Sequence, residues 1–187
     1  MDFQELLSRA LNDSADLMDR VSATGWDAPS PCAGWTVRQT ANHFVGGLEF
    51  LTRVVEGERP DFSSMRPEVD HLGRNPADAV RAAGKHVVTA FGVPGVLEQT
   101  FPLPIPDMPG RGIANICLLE AVVHGWDMAK GAGLAYQPDE DLVVAVRAYA
   151  DTLTGERRNP KLFAPVVPTP PDADAFTATL GQLGRRA

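Results

Sequence analysis

The stretch that most restricts how this chain can fold is RGIANICLLEAVVHGWD, residues 111–127. Between its two ends the only charged side chain is Glu120, set among Ile, Leu, Val, Ala and Cys, and His124 follows four residues later. On a helix, positions i and i+4 lie one above the other on the same face. A carboxylate in such surroundings needs a partner, because desolvating it alone is costly. Two arrangements meet that need, a buried hydrogen-bonded Glu–His pair or a metal ion held by both. The residues of this stretch leave both open.

The rest of the chain reads as helices around that segment. Residues 3–21 place Phe3, Leu6, Leu7, Ala10, Leu17 and Val21 at helical spacing. A loop, TGWDAPSPCAGW, follows, broken by Gly25, Pro29, Pro31 and Gly34. Thr36 suits the N-cap of a second helix running to about Val55. Its main stripe is Val37, Ala41, Phe44, Leu48, Leu51 and Val55, with Thr40, His43, Gly47, Phe50 and Val54 beside it. His43 therefore falls on the inner side, opposite Arg38, Asn42, Glu49 and Arg53.

A charged connection, 57–74, leads to a third helix, 77–91, with Ala79, Val80, Ala83, Val87, Ala90 and Phe91 inward. Residues 93–110 hold prolines at 94, 102, 104, 106 and 109 and are expected as extended loop, with at most a short edge strand near 97–101. The fourth helix starts between Gly110 and Gly112 and stops near the GAG at 131–133. A fifth follows Pro138, with Leu142, Val146, Tyr149 and Leu153 at heptad-like spacing, and a short sixth spans about 173–183 after a proline-rich tail. No strand–helix alternation supports a parallel sheet, so the expected class is all-α, a helical bundle with one long crossover before helix four, in a single domain, 1–187.

Bulk properties exclude several functions. The net charge of -7 argues against a nucleic-acid or anionic-membrane surface. Two cysteines, Cys32 and Cys117, imply no disulfide framework and fit a reducing cytoplasm. The start, MDFQELL, is acidic and helix-periodic, unlike a signal peptide, and no run suits a membrane span. No Ser–His–Asp arrangement, phosphate-binding glycine loop or dinucleotide fingerprint occurs.

Helical bundles build metal sites from inward side chains on facing helices. Here helix two offers His43, and helix four offers Glu120 and His124. Two imidazoles and a carboxylate suit zinc with a fourth position left for water or substrate, and the set also overlaps iron and nickel chemistry. Asp127, at i+3 from His124, is placed either to accept the second ring N–H of that histidine or to lie on the surface. Cys117, one turn before Glu120, reads as a buried small hydrophobe, and Cys32 as a loop thiol with no basic neighbour. His71 reads as a solvated group, His86 as unpaired with the other candidates, and the Arg pairs at 157–158 and 185–186 as solvated charge.

The blocks PSPCAGWTVRQTANHFVGG and LLEAVVHGWDMAKGAG resemble the DinB-like proteins of actinobacteria, and more closely the metal-binding domain of mycothiol-dependent maleylpyruvate isomerases. The resemblance extends to the closing FAPVVPTPPDADAFTATLGQLGRR. It implies an up-and-down four-helix bundle with a divalent metal, usually zinc, held by His43, Glu120 and His124. It further implies a low-molecular-weight thiol such as mycothiol as co-substrate, and S-transfer or thiol-assisted isomerisation on a small electrophile. The isomerases carry a second, C-terminal domain for which this chain has no room, so isomerisation of maleylpyruvate itself is not expected. Two other readings stay open: a non-catalytic bundle that binds metal or ligand, and a metal-dependent hydrolase of a small ester or amide. Exposed helix faces leave room for a homodimer.

Overall fold

The computed structural model describes residues 3–32, 34–103, 106–155, 158–160 and 162–187. Among them it is mostly helical, with α1 Phe3–Arg20, α2 Val37–Val55, α3 Pro76–Phe91, α4 Gly110–Ala132, α5 Glu140–Ala150 and α6 Ala175–Gln182. The chain divides into two compact units, Met1–Tyr136 and Gln137–Ala187. No helix of the described residues is long and apolar enough to cross a membrane.

In the first unit α1 packs on α3 and α4, and α2 packs on the same two helices. The stripes read from the sequence form its core: Val37, Ala41, Phe44 and Leu48 on α2 and Val80 and Val87 on α3 are fully buried. Helix α4 is covered on nearly every side, by α1 and by α2, which is why its sequence is apolar all round rather than striped. Ser14 of α1 is a buried polar residue facing α4. Its hydroxyl lies 3.0 Å from both the Ala10 and the Ala121 carbonyls, so burial leaves it satisfied.

Helix ends follow local chemistry. The Thr36 hydroxyl accepts from the Gln39 amide while the Gln39 side chain accepts from the Thr36 amide, a reciprocal cap that fixes where α2 begins. Helix α4 ends on Gly133 at φ 69°, a left-handed position that glycine occupies without strain. The crossover before α4 contains a two-residue antiparallel pair, β1 Thr100–Phe101 with β2 Met108–Pro109, close to the short edge strand expected there. Beside it the Gly110 and Arg111 amides donate to the Gln99 and Leu97 carbonyls, each at 2.8 Å, which satisfies two of the first donors of α4. Pro104 lies outside the described residues.

Two side chains expected at the surface are instead engaged with neighbouring backbone. His71 is not a solvated group: Nδ1 lies 2.8 Å from Glu49 and Nε2 2.7 Å from the Ser64 carbonyl. Asn42 does not face water either. Its side chain accepts from the His71 amide and donates to the Pro67 carbonyl, so the polar face of α2 is used to strap the segment after it back onto the helix. His86 is exposed and pairs with Glu56.

In the second unit α5 packs on α6. Asp174 caps α6 by accepting from the Phe176 and Thr177 amides. Arg158 is not merely solvated: it donates to the Gln182 and Ala164 carbonyls and lies over the Phe163 ring. Arg157 lies outside the described residues.

Candidate metal centre

Helices α2 and α4 are neighbours, and their contact brings together residues far apart in sequence. His43 comes from the second turn of α2, and Glu120 and His124 come from successive turns of α4. His124 Nε2 lies 3.0 Å from Glu120 Oε2, and His43 Nε2 lies 3.9 Å from the same oxygen. The two imidazoles meet edge to face, with ring centroids 5.4 Å apart. Trp35 closes one side of His43 at 4.9 Å. One ligand atom from each of the three residues falls within 4.8 Å of the other two, a cluster of the size a single cation spans.

The orientation of each ring is set from behind. His43 Nδ1 lies 2.8 Å from the Met65 carbonyl, an oxygen that can only accept, so that nitrogen carries the proton. His124 Nδ1 lies 2.9 Å from Asp127, which is fully buried. In both rings this leaves the Nε2 lone pair aimed at the shared space beside Glu120. An acceptor behind each ligating imidazole, taking its Nδ1–H, is the arrangement that holds histidine in a metal-binding tautomer. The donor set, two neutral imidazoles and one carboxylate, fits a divalent ion of the zinc type.

Glu120 and His43 are not sealed in the core. Their side chains are 21% and 26% exposed, against 8% for His124, so the cluster opens to solvent on the side of His43 and Glu120. The carboxylate is thus half-buried, less deeply than its apolar sequence neighbours suggest. Burial alone lowers the pKa of His124. The charge of Glu120 and the hydrogen bonds with Asp127, Cys32 and Glu120 outweigh it and raise the group well above its usual 6.5. A positive charge is therefore favoured at this position, whether carried by a proton or by an ion.

Of the residues singled out in the sequence, the geometry places Asp127 against His124 rather than at the surface. Cys117 is fully buried, and burial pushes its thiol well up, so it remains protonated and inert. Cys32 differs from its sequence reading. Its Sγ lies 3.2 Å from Asp127 Oδ2 and 3.8 Å from His124 Nδ1. The neighbours it acquires are some ninety positions away, on α4, and no local signal announces them. The Met65 carbonyl was equally beyond a sequence reading, because any residue supplies a backbone acceptor.

Residues 7–129 match the family described as the mycothiol maleylpyruvate isomerase N-terminal domain. Two uncharacterized proteins of Mycobacterium tuberculosis, from two strains, are each 32% identical over 182 residues, covering 95% of this chain and 96% of theirs. No solved structure is significantly similar. The matched span takes in α2, α4 as far as Ala129 and all three clustered side chains, and the chain belongs to the mycothiol maleylpyruvate isomerase N-terminal domain family.

Proposed function

We propose that this protein is a divalent-metal-dependent enzyme that uses a low-molecular-weight thiol, of the mycothiol type, for S-transfer or thiol-assisted isomerisation on a small electrophile. In this reading His43, Glu120 and His124 hold the ion, zinc before nickel or iron, and Asp127 orients His124. The first four helices are taken as the up-and-down bundle of DinB-like proteins, in a chain that acts in the cytoplasm as one functional domain. The observation that carries the reading is the pair of histidines whose Nδ1 atoms are each committed to an oxygen, at 2.8 and 2.9 Å, so that both Nε2 atoms point toward Glu120. Family membership supports the thiol.

When bound, the ion would lower the pKa of a coordinated thiol and supply a thiolate nucleophile at neutral pH. The chain's own residues do the rest. Glu120 contributes the negative charge that balances the cation. The Met65 carbonyl and Asp127 hold the Nδ1 proton of each imidazole and so fix the direction in which Nε2 points. The exposed side of His43 and Glu120 is the route by which a thiol and an electrophile would arrive, and Trp35 forms one wall of it.

The test is thiol consumption with mycothiol and a chromogenic alkylating electrophile, comparing zinc-loaded protein with protein stripped by chelation. The expected result is conjugation above the uncatalysed rate in the loaded protein only, lost in Glu120→Gln. Ester or amide hydrolysis without thiol, at the same metal dependence, would replace this reading with a hydrolase.

A further inference from the structure

His124 presents a second edge that the proposed function uses only for orientation. At Nδ1 three potential ligand atoms converge: His124 Nδ1, Asp127 Oδ2 and Cys32 Sγ, separated by 2.9, 3.2 and 3.8 Å. Zinc bond lengths of about 2.0–2.3 Å at tetrahedral angles give ligand–ligand edges of about 3.3–3.6 Å. The observed triangle lies close to that size without any movement of the backbone.

Cys32 is held in place for this contact. Its amide donates to Ser30 Oγ, its carbonyl accepts from the Trp35 amide, and Ser30 Oγ accepts in turn from the Thr40 hydroxyl of α2. The loop can lie this close to α4 because residue 131 is glycine. A Cβ there would come within 2.7 Å of Val37 Cγ2 and 2.9 Å of the Pro29 carbonyl. Asp127 is fully buried, whereas Cys32 is partly exposed, so access to the triangle is past the sulfur.

We propose that Cys32, Asp127 and His124 Nδ1 form a second seat, selective for a soft, thiophilic cation such as cadmium or copper(I), and that it alternates with the seat made by His43, Glu120 and His124 Nε2. Alternation follows from the imidazole itself, since a neutral ring has one lone pair. With Nδ1–H donated to Asp127 the lone pair is at Nε2 and faces His43 and Glu120. With the proton moved to Nε2 it is donated to Glu120 Oε2 at 3.0 Å, and the lone pair faces Cys32. In the second seat a dication displaces the Cys32 proton to solvent. Its two charges are then balanced by one thiolate and one carboxylate. Sulfur selects soft ions for this seat, and the all-nitrogen-and-oxygen first seat serves borderline ones. The chemistry of the ion, not its charge alone, therefore decides which edge of His124 is used.

Titration of the metal-stripped protein with cadmium ion alone, followed by ultraviolet absorption and by bound-metal analysis, tests this. Wild type and His43→Ala are expected to bind one equivalent of cadmium with a thiolate-to-metal charge-transfer band. Cys32→Ser is expected to lose the band completely while retaining cadmium in the first seat, and helical circular dichroism checks that each variant is folded. Cadmium bound by wild type without the band, no cadmium bound at all, or a band persisting in Cys32→Ser and so arising from Cys117, would overturn the second seat. Two equivalents bound at once in wild type would overturn the alternation. Binding lost in His43→Ala but kept without a band in wild type leaves the first seat standing and removes only the second.

Discussion

His43 and His124 face the same carboxylate yet are held by unlike means. Behind His43 stands a backbone carbonyl, that of Met65, on a side chain that is 26% exposed. Behind His124 stands the Asp127 carboxylate, in a position only 8% exposed. A neutral acceptor fixes which nitrogen carries the proton and does little else. A buried carboxylate does the same and also makes the ring more basic, stabilising positive charge on or beside it. The contrast assigns the two histidines different duties: His43 completes the cluster at its open side, and His124 anchors it.

The sharpest way to break that contrast is to remove each ring. Both His43→Ala and His124→Ala are expected to lose stoichiometric zinc. Only His124→Ala should also weaken the metal-free fold, by about 3 kcal/mol, because it takes the imidazole from a fully buried carboxylate. Denaturant unfolding of the stripped proteins checks this, and equal losses in the two variants would remove the distinction.

Asp127→Asn comes next. It keeps an acceptor oxygen for the ring but removes the charge, so metal affinity should fall about 10–100-fold with the fold preserved. Competition against a chromogenic chelator measures it. A change under twofold would make Asp127 a packing residue.

The pH response sharpens the same point. In the stripped protein His124 titrates well above its usual 6.5. Its contribution to stability is therefore complete below 6.5 and is lost as pH rises through the higher, folded-state value. Each kcal/mol lost lowers Tm by about 2–4 °C. Metal loading has the opposite sign, because the ion must displace that proton and is favoured as pH rises. Thermal melts of stripped and loaded protein across this range should diverge with increasing pH. The smallest effect is expected at Met65, where Met65→Ala keeps the carbonyl and should change metal affinity by no more than about threefold; a larger loss would mean that the Met65 side chain, and not its backbone, sets the ring.

Much of this was legible in the residues themselves. Helical periodicity located the stripes of α2 and α3, and Thr36 and Gly133 carried the local signals that start α2 and stop α4. The cluster of His43, Glu120 and His124 followed from an isolated carboxylate, an i+4 spacing and a histidine on an inward face. What the sequence hid depends on the path of the loops. Cys32 reaches Asp127 only because the loop before α2 lies against Gly131. His71 reaches Glu49 only because Asn42 turns inward to hold its backbone. Contacts of this kind are set by chain reversal over tens of residues, and neither composition nor spacing encodes them.

The most direct test is the metal content of protein purified without added metal, wild type beside a His43→Ala and His124→Ala double variant, measured by atomic emission on folded samples. About one equivalent of a divalent transition metal per chain in wild type and none in the double variant is the expected result. Equal trace amounts in the two proteins would contradict the account, leaving Glu120, His43 and His124 as a hydrogen-bonded polar network at the contact of α2 and α4.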